Sequence, residues 1–456
     1  MKKFKVLPLT VAVASTLAAT SAFAATDADI AALEARIAEL ETRATTNYVD
    51  DQQQAVLSSE TEAPLGIIFS GYARYGAHYQ AGDERYVQVG SSGASLGRLG
   101  NEANGGEVQF AKVFEQDNGA LWDVVFMVED WGSDQWSSPG GVNLKKMYAG
   151  VTNVFDSQPN LYLWGGRDFH QRPQQGLNDY FWMSHDGQGA GFNNLDLGAA
   201  NLNMAVVGQV DGGEAGALGN DNGKYAVTAK LHGINAGIGN LDLYANYGFT
   251  SDQIDSDETA WLVGATLGLG SSNRLVVRYG DGADASAFDL MKDAQIFYGS
   301  FEGGYAFSDQ FVVDYLASYK KLSGDDFTSE GERTKDDDGN DLDKPEKTGQ
   351  FINAERDEYA VIVRPQYKWN DVHSTWLEAG YAIEDYKNGD EVKGWKVTLS
   401  QNVSFGGGPG DRPMLRFYAT VGDVDRDARK FDNGEVVADN VTIDTVSIGA
   451  MFEAWW

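Results

Sequence analysis

The last residues of the chain alternate with a period of two. Val446, Ile448, Ala450, Phe452, Ala454 and Trp456 are apolar, and Ser447, Gly449, Met451, Glu453 and Trp455 stand between them. Such alternation predicts a strand with one apolar and one wet face. It recurs near the start, where Phe69, Ala73, Tyr75, Ala77 and Tyr79 oppose Ser70, Tyr72, Arg74 and His78. Further on, Tyr359, Val361, Val363, Pro365, Tyr367 and Trp369 alternate with Glu358, Arg364, Gln366 and Lys368. Asn370-Asp371 then predicts a turn into a strand with Thr375, Leu377, Ala379, Tyr381 and Ile383 on one face and Ser374, Trp376 and Glu378 on the other. Residues Trp395 to Phe405 and Met414 to Gly422 repeat the pattern. Arg74, Arg364, Lys368, Glu378 and Lys396 all fall on the wet face, which a sandwich would have to bury dry at high cost. A wide, water-filled barrel has no such difficulty. The pattern therefore predicts an all-β, transmembrane antiparallel β-barrel, closed at the lipid interface by an aromatic-tipped last strand.

The opening residues predict a different organisation. Lys2, Lys3 and Lys5, the apolar stretch Leu7 to Ala18 and the small residues Ala22-Phe23-Ala24 form a secretory signal peptide over 1–24. Residues 25–46 follow as a short α-helical coiled coil, with Ile30, Leu33, Ile37 and Leu40 at a and d positions. Arg36 and Glu41 are placed for an interchain pair, although two heptads are too short to be stable alone. Residues 47–65 are a polar linker, and 66–456 carry the barrel. No later run reaches the ~18 to 20 apolar residues of a membrane helix.

Composition changes the picture in three ways. Abundant Gly (54) against few Pro (9) suits many strands joined by turns. A mean hydropathy of -0.36 is compatible with a membrane barrel, because only every second strand residue faces lipid. The net charge of -32 argues against nucleic acid, whose phosphates need a basic face. The chain has no Cys for disulfides. The five His are scattered without metal-ligand spacing, and no nucleophile elbow or phosphate-binding Gly motif occurs. We therefore expect no enzyme, no metal and no cofactor. The acidic run Asp336 to Asp343 resembles part of a calcium loop but lacks the full spacing, and is read as a solvated external loop.

The chemistry that stands out is aromatic side chains beside charged ones on the wet face. Sugars offer flat C–H patches to aromatic faces and hydroxyls to Arg, Asp and Glu. Tyr72 beside Arg74, and Trp455 beside Glu453, are pairs of this kind. Phe69-Ser-Gly-Tyr-Ala-Arg74, Arg98-Leu-Gly-Asn-Glu102, Trp164-Gly-Gly-Arg-Asp-Phe-His-Gln-Arg172, Gly189-Ala-Gly-Phe192 and the terminal Phe-Glu-Ala-Trp-Trp together resemble the maltoporin family of sugar-specific outer-membrane porins.

That resemblance implies a homotrimer of about 18-stranded barrels in the bacterial outer membrane, embedded in its lipid. It implies a third connection, about Arg167 to Ala190, folded inward to narrow the pore. It also implies an aromatic slide for maltodextrin-like oligosaccharides, with Tyr72 and Trp455 at slide positions and Phe181 at another. Trp131 or Trp136 would be the aromatic that a neighbouring subunit contributes. For the flanking polar track it implies Arg74, Arg98, Arg172 and Asp179, with Lys145 replacing an arginine and Glu107 matching after a one-residue deletion. Three slide positions, at Gly106, Ser272 and Gly410, have lost their aromatics, which puts maltodextrin selectivity in doubt but not sugar passage. The coiled coil is similar to the periplasmic extension of the sucrose-porin branch. The expected function is a sugar-preferring diffusion channel. The alternatives are a general porin, or a surface receptor or adhesin using its long acidic loops.

Overall fold

The computed structural model describes residues 67–456 except 133–140, 211–222, 252–257, 292, 336–340 and 433–434. The signal peptide, coiled coil and linker expected over 1–65, Trp136, and Asp336 to Asn340 of the acidic run lie outside the described residues.

The chain begins with β1 (Ile67–Gln80), β2 (Gly105–Glu115), β3 (Leu121–Trp131), β4 (Asn143–Thr152) and β5 (Tyr162–Asp168). A two-residue pair, β6 (Gln174–Gln175) and β7 (Tyr180–Phe181), interrupts before β8 (Gly187–Asp196), β9 (Asn201–Val210) and β10 (Gly223–Asn235). There follow β11 (Asn240–Thr250), β12 (Thr259–Leu269), β13 (Asn273–Asp281), β14 (Ala294–Ala306) and β15 (Phe311–Gly324). A separate hairpin, β16 (Thr328–Lys335) with β17 (Asp341–Asn353), precedes β18 (Arg356–Lys368), β19 (His373–Tyr386), β20 (Glu391–Ser404), β21 (Met414–Asp432) and β22 (Glu435–Trp455).

Leaving aside these two separate pairs, 18 strands form one sheet in which each pairs antiparallel with the next. β1 pairs with β2 on one side and β22 on the other, with Tyr72 opposite Trp455. The Gly71 N–H donates to the Trp456 carbonyl at 3.0 Å, and the Trp456 N–H returns a bond at 3.1 Å. The closed ring leaves no open sheet edge, the condition for crossing a membrane with strands. Short turns such as 116–120, 270–272 and 369–372 cluster at one end, and the long connections at the other. In bacterial outer-membrane barrels the short turns are periplasmic.

Alternation dictates what each face does. Phe69, Phe110, Trp122, Trp261, Tyr359, Trp395, Phe417 and Trp456 point outward and are exposed, an apolar belt suited to lipid. Trp456 extends this belt at the seam, with its ring 5.7 Å from that of Phe69.

The inner face differs from the expectation of charges standing in a wide, water-filled lumen. Arg74, Arg364, Glu378 and Lys396 are buried, because two long connections fold back into the barrel. The first, residues 81–104, lays Val87, Val89 and Leu96 on Ala360, Ala382, Val392 and Val424, and Leu99 on Trp376 and Met414. The second, residues 169–186, places Tyr180, Trp182 and Met183 among Tyr244, Leu262, Val276 and Tyr298. These clusters are the dry core of the molecule.

Ion pairs tie the first connection to the wall. Glu378 Oε1 accepts the Leu99 N–H at 2.7 Å, and its Oε2 accepts from Arg364 Nε at 2.9 Å. Lys396 lies 3.6 Å from the same carboxylate and donates to the carbonyls of Gly97 and Leu99. The neighbouring wall position is Gly380, where a Cβ would stand 2.3 Å from the Leu96 carbonyl oxygen. A side chain there would push the connection off the wall.

Glu378→Ala leaves Arg364 and Lys396 buried without their carboxylate, a loss of about 3–5 kcal/mol. We expect faster protease cleavage within 81–104 and a larger single-channel conductance from an intact barrel. Parental values of both would contradict this pinning.

Candidate functional site

Register places the site. Across the seam, Trp455 of β22 stands opposite Tyr72 of β1, which stands opposite Glu107 of β2, which stands opposite Glu129 of β3. In the adjacent inward row, Glu453 is followed by Arg74, Gly105 and Trp131. Both rows have inward parity, so their side chains converge on one patch of the inner wall.

Aromatic rings form a strip through that patch. Tyr72 stacks at 6.4 Å on Trp455 and at 6.0 Å on Trp131, with interplanar angles of 22° and 25°. The rings are thus near-parallel neighbours, and each is half-buried. Arg74 lies 5.1 Å from the centre of the Trp131 ring, and Arg412 lies 4.4 Å from that of Trp455.

A single carboxylate organises the cations. Glu453 Oε1 accepts from the Tyr72 hydroxyl at 2.8 Å and from Arg98 at 2.9 Å. Its Oε2 accepts from Arg412 Nε at 3.0 Å and from Arg416 at 3.1 Å. Glu102, also bonded to Arg416, brings a second negative charge into this cluster. Burial pushes the Glu102 carboxyl up, but the guanidiniums of Arg416, Arg98 and Arg74 outweigh it and hold it below its usual range. Burial likewise opposes the charge of Arg98, and Glu453 foremost reverses that and holds the guanidinium well above its ordinary value.

The inward connection 169–186 supplies a second group. Arg172 is sandwiched between Phe169 and Phe181, at 4.1 and 4.0 Å from their ring centres, and pairs with Asp186 at 3.2 Å. Asp179 bonds Gln174 in the same connection and Arg74 on the wall at 3.0 Å, joining the two groups. Lys145 pairs with Glu129 at 2.8 Å, beside Glu107.

Of the residues singled out from the sequence, Tyr72, Trp131, Trp455, Arg74 and Arg98 come together on the wall. Phe181, Arg172 and Asp179 stand on the inward connection, and Glu107 with Lys145 extends the patch along β2 and β4. Trp131 stacks on Tyr72 of its own chain, and Trp136, the other residue expected as the neighbouring subunit's aromatic, lies outside the described residues. One expectation is corrected. Gly106 pairs with Ala73 on the outward parity, so it is not a vacated lumen position. Ser272 and Gly410 lie exposed in turns at the short-turn end. The sequence reading missed Arg412, Arg416, Glu102 and Phe169. Glu102 and Phe169 lay inside quoted motifs, while Arg412 follows a Gly-rich turn with no pattern to mark it.

Residues 67–456 match the model of the LamB porin family. The chain belongs to that family. A maltoporin of Vibrio cholerae El Tor Inaba N16961 is 28% identical over 423 residues, covering 86% of this chain and 95% of its own. The maltoporin of the classical Ogawa 395 strain has the same identity, with 94% of its length covered. Among solved structures, OccD3 of Pseudomonas aeruginosa overlaps 87% of this chain and 93% of its own, at 10% identity and a TM-score of 0.44. The protein is an outer-membrane porin, and its relatives are channels rather than enzymes.

Two histidines make the inward connection of this LamB-family porin sensitive to acid. His170 Nε2 lies 2.7 Å from the Thr228 hydroxyl, and His185 Nε2 accepts the Ala287 N–H at 3.1 Å. Burial pulls them from 6.5 to about 4 and about 3, with the neighbouring His170 adding to the effect at His185. Both folded values are depressed, so the anchored connection binds fewer protons than a released one. Its stability is complete above pH 6.5 and falls as pH drops from there towards 4, by at most about 1.4 kcal/mol per histidine per pH unit. Hydrogen exchange of 169–186, corrected for intrinsic rates, should therefore rise between pH 7 and pH 5. Unchanged protection would refute this.

Proposed function

We propose that this porin is a sugar-preferring diffusion channel, working as a homotrimer, that passes oligosaccharides and small solutes into the periplasm. The observation that carries this is the stacked pair Tyr72–Trp455 with Glu453, Arg98 and Arg412 at its edge. Apolar ring faces beside dense hydrogen-bonding groups suit a molecule with C–H faces and a rim of hydroxyls. Phe181 is a further aromatic on the path, and Arg74, Arg172, Asp179, Glu107 and Lys145 form the polar track. Two relatives named maltoporin support the sugar class. Transport down a gradient needs weak binding at several points, which a strip of rings provides without catalysis.

A general porin is the second reading, favoured by the exposed turns at Ser272 and Gly410, where aromatics would extend the slide. Residues 1–24 are proposed to be removed on export, and the coiled coil 25–46 to reach into the periplasm ahead of the linker 47–65. Three tethered copies raise its local concentration, so it follows trimerisation rather than causing it.

Bilayer recording with a panel of sugars separates the two readings, since a general porin shows no saturable block of ion current. Trp455→Ala should weaken block by about 1–3 kcal/mol if stacking here resembles base stacking on aromatics. Ion conductance should stay the same or rise. Undiminished block by every sugar that blocks the parent would remove Trp455 from the path.

A further inference from the structure

Trp131 is two strands away from Tyr72, yet their rings stack. The reason is the residue between them. Gly105 lies in the same inward row as Trp131, and a Cβ there would stand 2.4 Å from Cε3 of the indole. The indole thus lies across the backbone of β2, in the space a side chain at 105 would fill. Arg74 lies along the ring at 5.1 Å, held in turn by the Ala103 carbonyl at 2.9 Å and by Asp179. The ring is therefore fixed on three sides before any ligand arrives, which lowers the ordering cost of binding.

We infer that Trp131 is a sugar-stacking ring supplied within the chain, and that Trp455, Tyr72 and Trp131 form one short strip selecting saccharides of two to three rings. This rests on the reading of the strip as a sugar path. The ring-to-ring steps of 6.4 and 6.0 Å put one aromatic face under each successive sugar ring. Among the described residues the row ends at Trp131, the last residue of β3; Arg412 rather than a ring flanks Trp455, and Phe181 on the inward connection has Arg172 over its face. Affinity should climb with each of the first three sugar units and then level off. A long slide would instead keep gaining with chain length.

The test is current block by a mono-, di-, tri- and hexasaccharide of one glucose series, in the full-length trimer. The parent should show affinity rising to the trisaccharide and flat thereafter. Trp131→Ala should weaken trisaccharide block about fivefold to a hundredfold, the range stacking energies give. Its monosaccharide block should change far less. Trp131→Tyr, which keeps a ring, should recover most of the loss. Gly105→Ala, which keeps the indole but fills its berth, should resemble Trp131→Ala and serves if that variant inserts poorly. If Trp131→Ala and Gly105→Ala keep parental trisaccharide block while Tyr72→Ala loses it, the third ring is refuted and the sugar channel stands. Affinity still rising from tri- to hexasaccharide would refute the short strip. Absence of block by every sugar in the parent would overturn both this inference and the channel reading beneath it.

Discussion

The structure depends on one buried carboxylate. Glu453 sits on the inner face of the last strand and accepts from Tyr72, Arg98, Arg412 and Arg416. Those four belong to the first strand, the first connection, the turn before β21, and β21 itself. A lone charge at that depth would be prohibitive, and so would three guanidiniums without a counter-ion. Each partner is tolerable because the others are present. The arrangement holds the first connection against the wall at the barrel seam. It also flanks Trp455, the next inward residue, with Arg412.

Constriction and recognition therefore share one set of contacts. The first connection is fastened by Glu453 through Arg98 and by Glu378 through the Leu99 backbone. The second is fastened by Asp179 to Arg74, and Arg74 also lies along Trp131. A side chain that narrows the pore thus also orients an aromatic ring at its wall. For a passive channel this economy fits, since the path must be ordered enough to attract a sugar and weak enough to release it.

Much of the fold was legible in the sequence, for a physical reason. Strand side chains alternate without regard to distant contacts, so the outward positions of Phe69, Tyr359 and Trp456 followed from parity alone. The inward connection after β5 came from a family resemblance rather than from periodicity. The inward fold of residues 81–104 was not legible, because Val87, Val89, Leu96 and Leu99 follow no single period and their partners lie hundreds of residues away. For the same reason, inner-face charges read as solvated proved to be ion-paired beneath that segment. Trp131 was recognised with Trp136 as a candidate for the aromatic a neighbouring subunit contributes, and its place on Tyr72 was not legible, since nothing local reveals that Gly105 leaves a berth there. Arg412 and Arg416 were invisible as site residues because their importance comes from Glu453.

The most direct measurement is on Glu453→Gln, which keeps the side chain's shape and hydrogen-bonding oxygen but removes its charge. Arg98 and Arg416 would then share Glu102, and Arg412 would lose the carboxylate it pairs with. In bilayers, with the folded trimer verified on a gel, sugar block should weaken about tenfold or more, about 1.4 kcal/mol, and ion conductance should rise as the first connection loosens. Parental block and parental conductance from that variant would contradict the claim that this carboxylate holds the constriction and the sugar path together.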